Sequence, residues 1–138
     1  GVYNLEMARI YNYLLQQGSN AFTIIHSLDG YDEISLTGDV KVITNKGEKI
    51  FSAEDLGKRK VAPMDLHGGN SVEEAAKIFI TILKGKGSWA QNAVVLANSA
   101  MALQCTGKFA SYDECYQMAV ESLESGRAYQ SLQKLTGR

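Results

Sequence analysis

Three serine-led capping motifs constrain the fold of the second half of this chain more than any other feature. They begin at Ser71, Ser88 and Ser111, and each has Glu or Gln three residues further on. In such a motif the serine oxygen and the acid or amide satisfy two backbone N–H groups that the first helical turn leaves free. A glycine closes each segment, as is common at helix ends. The predicted helices end near Lys84–Gly85, Thr106–Gly107 and Ser125–Gly126, and a last short helix follows.

The first half combines one helix with short strands. Apolar residues at helical spacing predict a helix that begins after Asn4 and ends at Gly18. Phe22–His26 is a short apolar, β-branched run and is predicted to be a buried strand. A further short strand would carry Ser35 and Thr37 at alternating positions.

A hairpin sets the expected fold class. Val40–Thr44 and Lys49–Ser52 alternate on either side of Asn45–Glu48, which contains the turn glycine. Glu54–Gly69 has no clear pattern and is predicted to be a long connection with one short element at most. Because a hairpin is antiparallel, we expect an α/β fold with a mixed sheet flanked by helices and a C-terminal half that is all helical.

Composition and charge exclude two broad classes of partner. The 138 residues are 45% hydrophobic and 21% charged, as in an ordinary globular domain. A net charge of −1 provides no field that would attract a nucleic acid backbone, and Lys58–Lys60 is predicted to be a solvated loop. The longest apolar tract, Ala93–Leu103, is too short for a membrane span and is predicted to be a buried helix.

The two cysteines indicate a structural role. Cys105 and Cys115 do not form a Cys-x-x-Cys pair, and no histidine lies near them to complete a zinc site. Both fall at apolar positions of predicted helices, where a free thiol packs as a small hydrophobic group. Buried thiols are consistent with a reducing cytoplasm, which is the expected location.

The segment Gly30–Gly38 contains the strongest candidate for chemistry. Asp32 and Glu33 are adjacent carboxylates at a glycine-flanked corner, just past the strand Phe22–His26. Magnesium is commonly held by one or two carboxylates together with substrate phosphates. Open α/β sheets bind ligands beyond the carboxyl ends of their strands. On local sequence alone, a solvated acidic pair is the favoured interpretation, because Asp-Glu pairs on loops are mostly solvated.

Other polar residues have competing interpretations. His26 ends a strand, which favours a structural role over general-base catalysis, and His67 on its loop is not assigned a function. Asn98 lies in an apolar helix and needs hydrogen-bond partners; a helix–strand tether is favoured over ligand contact. Ser35 and Thr37 fit phosphate contact and sheet packing equally well. The sequence contains no nucleophile elbow, P-loop or Rossmann glycine motif.

Five segments resemble, in order, the C-terminal part of the anthranilate phosphoribosyltransferases of tryptophan biosynthesis. They are Gly1–Tyr3, His26 with Gly30–Gly38, Gly68–Ala75, Ala93–Leu103 with Asn98, and Ser125–Ala128. The resemblance implies a glycosyltransferase that moves a phosphoribosyl group from phosphoribosyl pyrophosphate to anthranilate. It also implies that Asp32 and Glu33 bind Mg²⁺ on the diphosphate.

The same resemblance implies that large parts of such an enzyme are missing. The family's Gly-Thr-Gly-Gly-Asp loop, Asn-x-Ser-Thr segment and Lys-His-Gly-Asn-Arg motif do not occur in the 138 residues. We therefore expect residues 1–138 to be the C-terminal part of the α/β domain, without the N-terminal helical domain and the glycine-rich phosphate loop. Alone it should be inactive, with no catalytic residue and no assigned substrate-binding residue.

The remaining expectations concern the oligomeric state and two alternative functions. The parent enzyme is expected to be a homodimer, and the isolated chain to self-associate through apolar surface that has lost its neighbours. One alternative is a non-catalytic α/β module. The other is a piece of a pyrimidine nucleoside phosphorylase, a class that shares the architecture.

Overall fold

The computed structural model describes residues 1–137, which form five helices and one small sheet. The helices are α1 (Leu5–Leu15), α2 (Val72–Leu83), α3 (Trp89–Cys105), α4 (Tyr112–Glu124) and α5 (Arg127–Thr136). The strands are β1 (Thr23–Ser27), β2 (Val40–Thr44) and β3 (Gly47–Phe51). Two short 3-10 helices, Glu54–Leu56 and Pro63–Leu66, lie in the connection that the sequence leaves without a pattern.

The sheet has the order β1-β2-β3, and both pairs of neighbours are antiparallel. The α/β class and the all-helical C-terminal half are confirmed. The expected mixture of strand directions is wrong for the described residues. Parallel neighbours need a crossover segment, usually a helix, whereas here the chain folds straight back after β1. The N–H of Leu28 donates to the carbonyl of Asp39 at 2.8 Å and closes that return.

Three local predictions also need correction. Ser35 and Thr37 do not lie on a strand, because residues 33–38 form a loop that pairs with no neighbouring strand. The hairpin turn is shorter than expected, since Thr44 pairs directly with Gly47 and only Asn45 and Lys46 remain between the strands. Helix α1 ends at Leu15, before the predicted glycine.

The predicted helix starts are confirmed. Each of the three serines accepts a hydrogen bond from the backbone N–H three residues on. At α3 the motif is reciprocal, because Gln91 Oε1 accepts from the N–H of Ser88 at 2.9 Å. At α2 the carboxylate of Glu74 instead accepts from the N–H of Asn70, one residue ahead of the cap, at 2.7 Å. Both arrangements satisfy N–H groups that the helix leaves free.

Helix α3 is the centre of the packing. One side faces the sheet with small residues such as Ala93 and Ala97, and the main core cluster includes Val40 and Val42 of β2. Its other side packs on α4 through Leu96 and neighbours. The apolar tract is thus a buried helix, as predicted. Small side chains let the helix lie close to its neighbours, and this places it directly beside the loop that follows β1.

Two helices remain thinly covered. Helix α2 buries none of its residues, and α1 buries only Ala8. Large apolar side chains of α1 are exposed, namely Leu5, Ile10, Tyr11, Tyr13, Leu14 and Leu15. Such a surface favours association, and self-association of the chain stays a prediction. No helix among residues 1–137 is long and apolar enough to cross a membrane.

The basic segment is a loop as predicted, but two of its charges contact aromatic rings. Lys58 Nζ lies 3.5 Å from the ring centre of Tyr116, and Arg59 Cζ lies 3.8 Å from that of Trp89. Cation–π contacts of this kind contribute about 0.5–1 kcal/mol each at exposed sites. They hold the loop against α3 and α4.

The two thiols should differ sharply in reactivity. Cys115 is 0% exposed and burial raises the pKa of its thiol, whereas Cys105 is half-buried. Because only the thiolate reacts, we expect a disulfide reagent added to the folded chain at mildly alkaline pH to modify Cys105 alone. Cys105→Ser should abolish the fast reaction and Cys115→Ser should leave it unchanged. Fast labelling of Cys115 in the folded chain would contradict the buried position.

Candidate functional site

The candidate site lies on the loop between β1 and β2, residues 28–39, which we call the acidic loop. A tight turn opens it: the N–H of Ser27 donates to the carbonyl of Tyr31 at 2.9 Å, and the N–H of Gly30 donates to the carbonyl of Ser27 at 3.0 Å. Gly30 has φ of +107°, a conformation that side chains with a Cβ rarely adopt. The turn therefore depends on glycine at this position.

The two acids follow the turn and are exposed. Asp32 and Glu33 lie on the wall of a cleft of about 400 Å³ between the acidic loop, the His67–Gly68 loop, α2 and α3. Ile78, Phe79 and Ile82 of α2 also line this acidic cleft. The structure thus brings the predicted acidic pair to a concave surface, with an apolar helix as part of the lining.

Asn98 of α3 holds the acidic loop through its backbone. Its Oδ1 accepts from the N–H of Ile34 at 2.9 Å, and its Nδ2 donates to the carbonyl of Ile34 at 2.9 Å. Nδ2 also donates to the carbonyl of Val94, one turn earlier in α3, at 2.9 Å. The predicted tether is confirmed, but its partner is the loop directly after Glu33 and not a strand.

A chain of hydroxyl groups supports the loop from the other side. Thr37 Oγ1 donates to the carboxylate of Asp29 and lies 2.7 Å from Ser35 Oγ. Ser35 Oγ lies 3.3 Å from Ser27 Oγ, which donates in turn to the carbonyl of Glu33. The hydroxyls of Ser35 and Thr37 thus bind one another and Asp29. Sheet packing, one of the two interpretations of Ser35 and Thr37, is therefore wrong, and phosphate contact stays a prediction.

Sequence patterns alone do not single out Ser27 or Asp29. Ser27 is the last residue of β1 and is completely buried, and Asp29 precedes the turn glycine. A feature that could have identified them is the presence of hydroxyl and carboxyl side chains on both sides of the turn at Gly30. Such residues often bond to nearby backbone groups in loops.

Leu36 has an unusual backbone within the loop. Its φ is +58°, the left-handed region, and it is the only residue other than glycine with positive φ among residues 1–137. This conformation costs a residue with a Cβ roughly 1–2 kcal/mol. The side chain is 1% exposed, and the carbonyl accepts from the N–H of Val61 at 2.8 Å. Burial and this hydrogen bond offset the strain.

The two histidines have different surroundings. His26 is buried, and its Nδ1–H donates to the carbonyl of Val2 at 2.9 Å, an arrangement that fits the favoured structural role. His67 is exposed at the edge of the acidic cleft, and its Nε2–H donates to Asn70 Oδ1 at 3.2 Å. Neither ring contacts the acidic pair through a hydrogen bond within the described residues.

The donor set limits the kind of metal site that is possible. Within residues 1–137, no group of three or more His, Cys, Asp or Glu side chains gathers to hold an ion. Two adjacent carboxylates are a partial set. Magnesium accepts such a set, since it keeps several waters and takes further oxygens from substrate phosphates. The residues fit a site shared with a phosphate ligand, and they do not form a closed protein cage.

Comparison with known proteins identifies the family. Residues 1–129 match the glycosyl transferase family, a/b domain, and the chain belongs to this family. It is 52% identical over 135 residues to an anthranilate phosphoribosyltransferase of Christiangramia forsetii, covering 98% of this chain and 40% of that protein. The enzyme of the same name from Flavobacterium johnsoniae is 51% identical over 135 residues, with 98% and 41% covered.

Solved structures agree on the fold. The anthranilate phosphoribosyltransferase of Thermus thermophilus superposes with a TM-score of 0.84 at 27% identity, covering 97% of this chain and 40% of that one. The Saccharomyces cerevisiae enzyme in complex with PRPP and Mg gives a TM-score of 0.81 at 23% identity, with 96% and 38% covered. This chain therefore spans about two fifths of the length of these relatives.

The positive φ of Leu36 predicts an unusual order of stability for two variants at this position. Leu36→Ala keeps the positive φ and loses the buried side chain, so it should cost about 2–5 kcal/mol. Leu36→Gly loses the same contacts but removes the backbone strain. Glycine should therefore be more stable than alanine here by about 1 kcal/mol, the reverse of the usual order. Urea unfolding of both variants measures this, and the ordinary order would contradict the strained conformation.

Proposed function

We propose that this chain is the C-terminal part of the α/β domain of an anthranilate phosphoribosyltransferase, with residues 1–138 as the domain segment. The parent enzyme transfers a phosphoribosyl group from phosphoribosyl pyrophosphate to anthranilate. The observation that carries the proposal is the exposed pair Asp32 and Glu33, held on a fixed loop beside a cleft. Relatives that carry this name, at up to 52% identity, support it.

The role of the chain in that reaction is to bind metal and diphosphate. Asp32 and Glu33 would hold Mg²⁺ against the diphosphate oxygens of the substrate. A bound magnesium ion stabilises negative charge on the departing diphosphate. The two carboxylates suit this task because they are exposed, adjacent and carried by a backbone fixed at Ile34. Neither acts as a nucleophile or proton donor in this proposal.

The remaining parts of the site would come from outside these residues. The chain covers about 40% of its relatives, and it lacks the phosphate-binding motifs of the family. Alone it should therefore bind Mg²⁺ weakly and have no transferase activity. The parent is proposed to be a cytoplasmic homodimer, with the two free thiols consistent with a reducing compartment.

A non-catalytic module is the second candidate. The absence of a third metal ligand among residues 1–137 favours it, because two carboxylates alone give little affinity for an ion. On this alternative the chain keeps the fold and the acidic cleft but has no phosphate ligand. Titration of the chain with metal and substrate separates the two candidates.

We predict that Mg²⁺ together with phosphoribosyl pyrophosphate shifts amide signals of residues 30–38 in this chain, with a dissociation constant in the millimolar range. The expected cause is direct contact of the ion with Asp32 and Glu33. The double variant Asp32→Asn/Glu33→Gln should weaken binding at least about tenfold, because neutral amides are poor magnesium ligands. Amide NMR with the ligand pair, and with each component alone, measures this.

The chain contains its own matched control. Asp113 and Glu114 are the other Asp-Glu dipeptide of the sequence, at the start of α4. Asp113→Asn/Glu114→Gln makes the same change in charge and should leave the shifts at residues 30–38 intact. No shift at millimolar ligand, or equal shifts at both dipeptides, would overturn the proposed site and favour the non-catalytic module.

A further inference from the structure

We infer that Asn98 and Ser27 are positioning residues that together fix one peptide group, the one that joins Glu33 to Ile34, and so orient the Glu33 carboxylate for the ion. Ser27 Oγ donates to the carbonyl of Glu33, and Asn98 Oδ1 accepts from the N–H of Ile34 at 2.9 Å. This carbonyl and this N–H belong to the same planar unit. The inference rests on the proposed function, because it assigns a role within that metal site.

Holding both ends of a peptide plane determines the direction of the neighbouring side chain. Both hydrogen bonds hold the plane between Glu33 and Ile34, and the carbonyl of Tyr31, two residues earlier, is held by the N–H of Ser27 at 2.9 Å. Because the chain is held on both sides, the ψ angle of Glu33 has little freedom to change. Ile34 itself is 0% exposed, which anchors the next residue in the core. With the backbone held before Asp32 and after Glu33, the side-chain torsions of Glu33 keep most of the remaining freedom.

The chemistry of asparagine fits this task specifically. The Asn98 amide accepts from the N–H of Ile34 and donates to its carbonyl, so it supplies both bonds that a neighbouring strand would supply. Nδ2 also donates its other hydrogen to the carbonyl of Val94 within α3, and this bond fixes the amide plane. Asp at this position offers no donor, and Leu offers neither group. Such an amide is needed where a helix packs against a buried loop segment that pairs with no strand.

A cation site made of two carboxylates depends strongly on such positioning. When an ion has few protein ligands, the binding free energy from each carboxylate is easily cancelled by the entropy lost in ordering a mobile loop. A loop already ordered by Asn98 and Ser27 needs little further ordering when the ion binds. The two residues therefore affect metal affinity without contacting the metal.

The test compares Asn98→Leu and Ser27→Ala with the unchanged chain of 138 residues. Amide hydrogen exchange of Ile34 reports on the peptide group without any metal. Titration with Mn²⁺ and inorganic pyrophosphate, followed by paramagnetic broadening of amides 30–38, reports on the ion. We expect Ile34 exchange to rise at least about tenfold in Asn98→Leu and metal affinity to fall at least about fivefold in both variants. Circular dichroism and melting curves check that each variant is folded.

Asn92→Leu is the matched control, since Asn92 lies on the same helix and bonds to the carbonyl of Gly87, away from the acidic loop. It should leave metal affinity unchanged. Ser27→Ala removes a single hydroxyl, so it decides the question if Asn98→Leu does not fold. Unchanged metal affinity in a folded variant overturns the positioning role. Absence of metal binding in the unchanged chain overturns the proposed function as well, while Ile34 exchange separately reports whether the peptide group is held.

Discussion

The backbone of the acidic loop needs hydrogen-bond partners that no strand provides, and this requirement organises the site. Residues 33–38 run beside α3 without a neighbouring strand, and most of them are buried. Buried backbone groups must be paired, because each unpaired group costs about 1–3 kcal/mol. Asn98, Ser27 and the N–H of Val61 supply the partners for Ile34, Glu33 and Leu36. The packing of α3 and the conformation of the acidic loop therefore depend on each other.

The separation along the chain between hydrogen-bonded residues explains which parts of the fold can be predicted from the sequence. Helix starts follow from contacts three residues apart, so Ser71, Ser88 and Ser111 are visible as patterns. A polar residue in an apolar helix predicts a tether, and Asn98 fulfils that prediction. Its partner, Ile34, is 64 residues away, and no local pattern identifies a contact at that separation.

The errors arise where local alternation and long-range bonding disagree. Ser35 and Thr37 alternate with apolar residues as a strand would, yet their hydroxyls bond to each other and to Asp29 instead. The positive φ of Leu36 interrupts any strand at its centre. Sheet direction is mispredicted for a similar reason, because the antiparallel pairing of β1 with β2, which continues in the bond between Leu28 and Asp39, joins residues separated by the acidic loop. The acidic pair and Asn98 are visible in sequence, whereas Ser27 and Asp29, which also hold the loop, are not.

The location of these supports determines what an isolated segment can retain. Hydrogen bonds from three separate elements shape the acidic loop, namely from Ser27 on β1, Asn98 on α3 and Val61 in the connection. The support of the loop therefore rests on the packing of β1, α3 and the connection after β3 against one another. Under the proposed function, affinity for a metal–diphosphate ligand would need further groups, because two carboxylates provide only part of the coordination shell. On the proposed function, such a segment would keep the geometry of the acidic loop and lose most of the binding energy for its ligand.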